Sequence, residues 1–216
     1  ICRMDCHSWY PDHYISRLYE KFLEIQKYDP SVANIGFAVE TQARRDSLFS
    51  NAVAITLSSK TGMGNSTFRT ASWTGKPIKV DTVPFGFFSR KKLMEIGLFD
   101  ANLPKNQDDE LNRRIINSGG SIYMIGPEKI IYFPVDKPTK IAKMFYNYGL
   151  YKPISLQKSG NKPSLRHLIP SIFVIVCVLL LIAAPMFLLG IMLFYMLVII
   201  IYNDVKKHRI AQLLAI

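Results

Sequence analysis

Two side chains near the start of the sequence could hold a metal ion. Asp5 and His7 lie in the segment Arg3-Met4-Asp5-Cys6-His7, which reads as the end of a strand. On an extended strand, residues two apart point the same way, so a carboxylate oxygen and an imidazole nitrogen could meet at one point. Such a pair can bind a divalent cation, which in turn can neutralise a diphosphate. The same two residues could also simply face solvent, and their spacing leaves both interpretations open.

A second group of residues could supply a general base. Asp108, Asp109 and Glu110 are consecutive acids at the start of a helix predicted from Asn106 to Asn117. Acidic residues at this position are favoured by the helix dipole, which accounts for them without any chemistry. Alternatively, one carboxylate could remove a proton from an incoming hydroxyl group, provided that it lies within hydrogen-bond reach. The segment by itself supports either function.

A glycine-rich loop could approach a ligand closely. Gly62 and Gly64 flank Met63 in the segment Thr61–Asn65, within a loop predicted over residues 58–79. Glycine allows the backbone to come close to a ligand, although it also allows a tight turn with no ligand. Loops of this length inside a compact domain are usually functional or mobile.

Alternating strands and helices must position these residues. A helix is predicted after Pro11, because apolar residues recur at helical spacing from Tyr14 to Ile25. The alternation that follows predicts an α/β layer structure with a mostly parallel sheet. The other predicted elements are strands at 32–39, 83–88, 121–125 and 129–133, and helices at 44–57, 91–96 and 139–149.

A long apolar run near the end of the sequence predicts a membrane segment. Residues 168–202 form 35 consecutive positions without a formal charge. Because a spanning helix needs about 20 apolar residues, the run could form one long helix or two short ones. Pro185 lies in the middle of the run and favours a break, hence a transmembrane hairpin. A single kinked helix remains the alternative.

The net charge of +11 is unevenly distributed. Residues 1–136 carry 17 Lys or Arg against 15 Asp or Glu, whereas residues 137–167 carry seven basic residues and no acidic ones. The nearly balanced first part argues against nucleic-acid binding. Basic flanks on both sides of the apolar run favour a hairpin with both ends in the cytosol, against anionic lipid. The run contains no ionisable residue to mark a transport pathway, which disfavours a channel or transporter subunit.

Taken together and in this order, the motifs resemble those of one family. The chain is similar to a family-2 glycosyltransferase of the bacterial exopolysaccharide type, such as those of succinoglycan biosynthesis. The resemblance covers most of residues 1–167. The residues that carry it are Arg3 to His7 with Tyr10 to Ile15, Gly62 to Asn65 with Phe68 and Arg69, Val80 to Gly86, Ile96 to Asp100, and Asn106 to Arg113.

This resemblance implies a GT-A fold, which is Rossmann-like, and inversion at the anomeric carbon. Asp5 and His7 would bind Mg or Mn together with the nucleotide diphosphate, and Asp108 would be the catalytic base. The substrates would be a nucleotide-sugar donor and a lipid-linked saccharide acceptor, at the cytosolic face of the bacterial inner membrane. The residues expected to bind substrate are Gly62, Gly64, Arg69, Asp109, Glu110 and Arg113.

Two departures from the family pattern bear on these expectations. His7 stands where the family has a second Asp, so metal affinity is in question, and Gln107 stands where a Glu is frequent. The Gln-x-x-Arg-Trp element of processive synthases does not occur downstream, which favours addition of a single sugar. A non-catalytic membrane-bound scaffold with a degenerate transferase fold is the main alternative function.

The resemblance also predicts how the chain is organised. In the family a nucleotide-binding half precedes the Asp-x-Asp strand, so we expect the chain to be a fragment that is inactive alone. Its expected parts are the C-terminal part of the catalytic domain at 1–136, a basic juxtamembrane segment at 137–167, two transmembrane helices at 168–202 and a basic cytosolic tail at 203–216.

Overall fold

The computed structural model describes residues 1–59, 66–70, 73, 75–160 and 165–213. The chain divides into two compact units, Ile1–Lys162 and Pro163–Ile216. Helices and strands alternate in the first unit, which confirms the predicted α/β class. Its strands are β1 (Ser8–Trp9), β2 (Val32–Thr41), β3 (Ile78–Lys79), β4 (Phe87–Phe88) and β5 (Ser121–Tyr132). Its helices are α1 (Tyr14–Tyr28), α2 (Leu48–Ser58), α3 (Thr67–Thr70), α4 (Arg90–Ile96), α5 (Gln107–Asn117) and α6 (Pro138–Lys158).

The described strands form one mixed sheet. Its order is β1-β5-β2-β4, and β3 also pairs with β5. The long central strands β2 and β5 are parallel, while the short strands pair with them in the antiparallel direction. The prediction of a mostly parallel, Rossmann-like sheet is therefore wrong for these strands. Short strands at the edges give too little periodic sequence to show their direction.

Helices cover both faces of the sheet. Successive residues of a strand point to opposite faces, and β2 follows this rule after the irregularity between Val32 and Asn34. Ile35 and Phe37 lie in one core cluster with Leu18 of α1, whereas Asn34 bonds Asn112 of α5. The α1 residues Tyr14, Leu18, Phe22 and Ile25 are all buried, as their spacing predicts. The sheet thus lies between α1 on one side and α4 with α5 on the other.

Several element boundaries differ from the predictions. The two strands predicted at 121–125 and 129–133 are one strand, β5, which continues past Pro127 with an irregular register against β2. The strand predicted at 83–88 is reduced to Phe87–Phe88, because the backbone of Phe85 has a φ of 51° and leaves the extended region. The helix predicted at 139–149 extends to Lys158 and contains Pro153.

The predicted transmembrane hairpin at 168–202 is not supported. The second unit contains α7 (Leu165–Ala183) and α8 (Pro185–Leu213), which are separated at Ala184. This break divides the apolar run, and neither piece reaches the ~20 apolar residues that a span usually needs. Among the residues that the structure describes, no helix is both long and apolar enough to cross a bilayer.

Candidate active site

The candidate residues gather at the carboxyl end of the parallel pair. Thr41 and Tyr132, the last residues of β2 and β5, are partners in the ladder. Ser8 of β1 also pairs with Tyr132, which brings the preceding segment with Asp5 and His7 to the same edge. In sheets with parallel strands, ligands characteristically bind beyond the carboxyl ends of the strands. The topology therefore places Asp5 and His7, the predicted metal-binding residues, where a ligand would be expected.

Asp5 and His7 do face each other. His7 Nδ1 lies 3.2 Å from Asp5 Oδ1, and the His7 ring meets the Tyr132 ring edge to face at a centroid distance of 5.2 Å. The Asp5 backbone is held by Tyr10, whose hydroxyl oxygen accepts a hydrogen bond from Asp5 N at 2.5 Å. The two side chains therefore meet as predicted, but across a turn in which Ser8 N donates to the Asp5 carbonyl at 3.4 Å, and not along an extended strand.

Asp5, Cys6 and His7 offer a set of ligand atoms that fits a divalent cation. One oxygen, one sulfur and one nitrogen atom all lie within 4.8 Å of one another. Mg²⁺ strongly prefers oxygen ligands, whereas imidazole nitrogen suits first-row transition metals. The nitrogen and sulfur atoms therefore make this donor set a poorer match for Mg²⁺ than for a transition-metal ion.

An open cavity of about 470 Å³ adjoins the metal pair. Its walls combine apolar surface with the exposed guanidinium of Arg44, which donates a hydrogen bond to the Phe133 carbonyl at 3.2 Å. The residues that line it are Cys6, His7, Ser8, Trp9, Arg44 and Phe133.

Asp108 lies in the first turn of α5 and forms an ion pair with Arg3. Both side chains are 31% exposed, so a ligand could reach the carboxylate. The Arg3 guanidinium also stacks over the Phe99 ring at 5.3 Å from its centroid. Arg3 belongs to the same short segment as Asp5 and His7. The structure therefore brings the predicted base to the predicted metal-binding segment, although more than 90 residues separate them in sequence.

The neighbouring Asp109 is held by two cations. It accepts hydrogen bonds from Lys152 Nζ of α6 at 2.6 Å and from Arg113 Nε at 3.1 Å. Burial opposes ionisation of this carboxyl group, but the bonds and charges of Lys152 and Arg113 outweigh it, so the pKa of Asp109 is lowered. Asp109 and Arg113 thus lie in a partly buried charge cluster that ties α5 to α6.

Glu110 is only 2% exposed and lies inside the fold. Its two carboxylate oxygens accept hydrogen bonds from Nε and Nη2 of Arg114 at 2.7 and 2.8 Å. Arg114 also donates to the backbone carbonyls of Ile96, Gly97 and Leu98. In this arrangement the Glu110 carboxylate fixes the turn after α4, and it does not face the cavity beside His7.

Arg69 is mostly enclosed. Its Nη1 donates a hydrogen bond to Thr41 Oγ1 at 2.7 Å, and its guanidinium lies over the Phe68 and Tyr132 rings at 5.4 and 5.2 Å from their centroids. Burial lowers the pKa of the Arg69 guanidinium, because removal from water disfavours the charged form. Gly62 and Gly64, the other predicted loop residues, lie outside the described residues.

Sequence reasoning missed several residues of this region. Thr41 and Tyr132 could have been predicted, because each is the last residue of a parallel strand, and ligands bind beyond the carboxyl ends of such strands. Asn112 carried no local signal: it is fully buried, donates to Thr82 Oγ1 at 2.8 Å and accepts from Asn34 Nδ2 at 2.8 Å. Lys152 was hidden in the basic segment 137–167, where no spacing distinguished it from its neighbours.

Comparison with known proteins gives one informative similarity. No protein-family model matches the chain. Over 175 residues the chain is 27% identical to the succinoglycan biosynthesis protein ExoA of Rhizobium meliloti (strain 1021). The match covers 79% of this chain and 48% of that protein, so the chain spans about half the length of this relative.

Proposed function

We propose that the chain is part of a glycosyltransferase that acts in the assembly of an exopolysaccharide of the succinoglycan type. The similarity to a succinoglycan biosynthesis protein supports the biological process. The proposed reaction transfers one sugar from a nucleotide-sugar donor to a saccharide acceptor, with inversion at the anomeric carbon.

The contact between Arg3 and Asp108 is the observation that carries this proposal. It joins a carboxylate that could act as a base to the segment that could hold a cation, at one edge of the sheet. A sugar transfer needs both: a base for the acceptor hydroxyl and positive charge for the departing diphosphate.

In the proposed mechanism, Asp108 accepts the proton of an acceptor hydroxyl as that oxygen attacks the anomeric carbon. The new glycosidic bond forms while the bond to the donor diphosphate breaks, and the nucleoside diphosphate leaves with the electron pair. Asp5 and His7 would hold a Mn²⁺ or Mg²⁺ ion, which supplies positive charge to the leaving group. Arg3 orients Asp108 before the acceptor binds, and must release one carboxylate oxygen for the proton transfer.

The acceptor is proposed to be a lipid-linked saccharide, used at the cytosolic face of the membrane. The basic composition of residues 137–167 supports this choice. Lys140 and Lys143 are exposed on α6, where they could meet the phosphates of a lipid carrier or anionic headgroups.

Replacement of the proposed base is the direct experiment. In the full-length protein, Asp108→Asn should lower sugar transfer about 10²- to 10⁴-fold, because the amide cannot accept the proton. Transfer is measured from a panel of labelled nucleotide sugars to a lipid extract, and donor binding is measured separately and should be retained. The exposed Asp12→Asn variant serves as the control and should transfer normally. Turnover by Asp108→Asn at the wild-type rate would exclude Asp108 as the base.

A non-catalytic scaffold is the second candidate, since the same contact also supports it: Asp108 is already engaged by Arg3. Hydrolysis of nucleotide sugars by the full-length protein, with and without Mn²⁺, separates the two. A scaffold would release no sugar from any donor of the panel, and its Asp108→Asn variant would behave like the wild type.

A further inference from the structure

The guanidinium of Arg69 has few hydrogen-bond partners among the described residues. A guanidinium carries five N–H donors. In the structure one hydrogen bond from this group is described, from Nη1 to Thr41 Oγ1. Its Nε is buried and has no hydrogen-bond partner among the described residues. The flanking Phe68 and Tyr132 rings stabilise a cation through their π faces, but they accept no N–H bond in the plane of the guanidinium.

Among the described residues, no carboxylate forms an ion pair with Arg69. Among the described parts of the chain, Arg69 forms no ion pair, whereas Arg3, Arg45, Arg113 and Arg114 each do. The sequence contains no Asp or Glu between Asp46 and Asp81, so the neighbouring chain offers none either. Burial of a charge without a counter-charge is unfavourable, and such charges are normally paired or bind a ligand.

The position of Arg69 indicates what the ligand could be. The Arg69 guanidinium lies 5.2 Å from the centroid of the Tyr132 ring, and the centroid of the His7 ring lies 5.2 Å from the same point. The buried cation and the Asp5–His7 pair therefore flank one tyrosine ring at the carboxyl end of β5. Arg44 adds a further positive charge that acts on Tyr132. With a cation held by Asp5 and His7, two positive positions would lie beside one ring, which suits a ligand with two linked anionic groups.

We propose that Arg69 binds one phosphate of a diphosphate, while the Asp5–His7 position holds the other through its cation. The planar fork of a guanidinium matches two phosphate oxygens, which would bond the Arg69 donors that have no acceptor among the described residues. Arg69 is then a binding residue whose ligand replaces the missing carboxylate.

The proposal rests on the proposed function only for the source of this diphosphate. One source is the nucleoside diphosphate of the donor, and the other is the diphosphate of a lipid carrier. Both present the same diphosphate group to Arg69. The anion subsite can therefore be tested with a simple diphosphate that belongs to neither source.

Inorganic pyrophosphate is the first probe. Its affinity for the full chain is measured by isothermal titration calorimetry, with and without Mn²⁺. Arg69→Gln should weaken binding about 10- to 100-fold, the range expected for loss of charged hydrogen bonds. Arg69→Lys keeps the charge without the fork and should give an intermediate loss. The surface variant Arg17→Gln, which removes an arginine paired with Glu128, should bind within about twofold of the wild type.

Two further probes identify the source. Uridine diphosphate represents the donor, and farnesyl diphosphate represents a lipid carrier. The ligand whose affinity falls on Arg69→Gln, relative to Arg17→Gln, is the one that this subsite takes, and either outcome supports the proposal. Equal affinities of wild type and Arg69→Gln for pyrophosphate and for both probes would overturn it, as would no pyrophosphate binding by the wild type.

A stability measurement covers the case in which Arg69→Gln folds poorly. Pyrophosphate should raise the midpoint of thermal unfolding of the wild type, because a ligand that binds only the folded state stabilises it. Arg69→Lys should show a smaller rise, and equal rises would contradict the proposal. Asp108→Asn should bind pyrophosphate normally. Loss of transfer with intact anion binding, or the reverse, therefore distinguishes failure of the proposed function from failure of this inference.

Discussion

The two ends of the parallel pair β2–β5 differ in how fully their charged side chains are hydrogen-bonded within the protein. At the amino end, Asp29 accepts hydrogen bonds from the hydroxyls of Ser31, Ser121 and Tyr123 and from the Ser31 backbone N–H. At the carboxyl end, Arg69 has one described hydrogen bond and no described ion pair. The amino end is complete within the protein itself, whereas the carboxyl end leaves donors that a ligand could satisfy. We infer that the amino end stabilises the fold and that the carboxyl end binds a ligand.

Removal of Asp29 should have the largest effect on stability. Asp29→Ala should lower the free energy of unfolding by about 2 kcal/mol, because three side-chain hydroxyls lose a charged acceptor. Chemical denaturation measures this loss, and the exposed Asp46→Ala variant should cost much less. Pyrophosphate affinity should be unchanged in both. If Asp29→Ala bound pyrophosphate more weakly than the wild type, the assignment of stability to one end and ligand binding to the other would be wrong.

The effect of Asp29 should depend on pH. Burial opposes ionisation of this group, but the hydrogen bonds from Ser31, Ser121 and Tyr123 outweigh it and hold the pKa of Asp29 well below its usual value. A carboxyl group with a depressed folded-state pKa stabilises the fold fully above the unfolded value, about 4, and loses this contribution as the pH falls through the folded value. The stability difference between wild type and Asp29→Ala should therefore be constant near pH 7 and shrink below about pH 4.

Lys152→Met should have an intermediate effect. Lys152 ties α6 to Asp109, so its loss leaves this carboxylate with Arg113 and should cost about 1 kcal/mol of unfolding free energy. The exposed Lys143→Met variant of the same helix is the matched control and should be neutral. Thermal and chemical unfolding provide the measurement. A loss as large as that of Asp29→Ala would show that the contact between α5 and α6 stabilises the fold as strongly as the Asp29 hydrogen bonds do.

Arg69→Met should have the smallest effect on stability. The apolar side chain removes a buried charge that no described carboxylate balances, so the unfolding free energy should stay within about 1 kcal/mol of the wild type, or rise. Chemical denaturation without any anion measures this change, with Arg17→Met as the surface control. A loss above about 2 kcal/mol would mean that Arg69 is structural, because that size is typical of a broken buried interaction.

Local patterns predicted what is local in this fold. Apolar spacing predicted α1, because a helix repeats within a few residues. The approach of Asp5 to His7 is also local, since a single turn from Asp5 to Ser8 brings the two side chains together. The α/β class followed from the order of these elements.

Long-range contacts could not be predicted from spacing. The pairing of Asp108 with Arg3 depends on which strands are neighbours, and so does the contact of Arg69 with Thr41. Glu110 pairs with Arg114 one turn away, which spacing allows, but its burial depends on how the helix packs on the rest of the fold. The prediction of a transmembrane hairpin was wrong. The length of the apolar run does not show where the helices break, and so does not give the apolar length of each helix.

The buried amides of Asn34 and Asn112 limit how the candidate site can move. Asn112 lies one helical turn after Asp108, and its side chain bonds the central strand through Asn34 and the following loop through Thr82. A helix anchored in this way cannot slide or rotate without breaking fully buried hydrogen bonds. Any adjustment that frees the Asp108 carboxylate must therefore come from rotation of the Arg3 and Asp108 side chains, over nanoseconds, and not from slower motion of the helix.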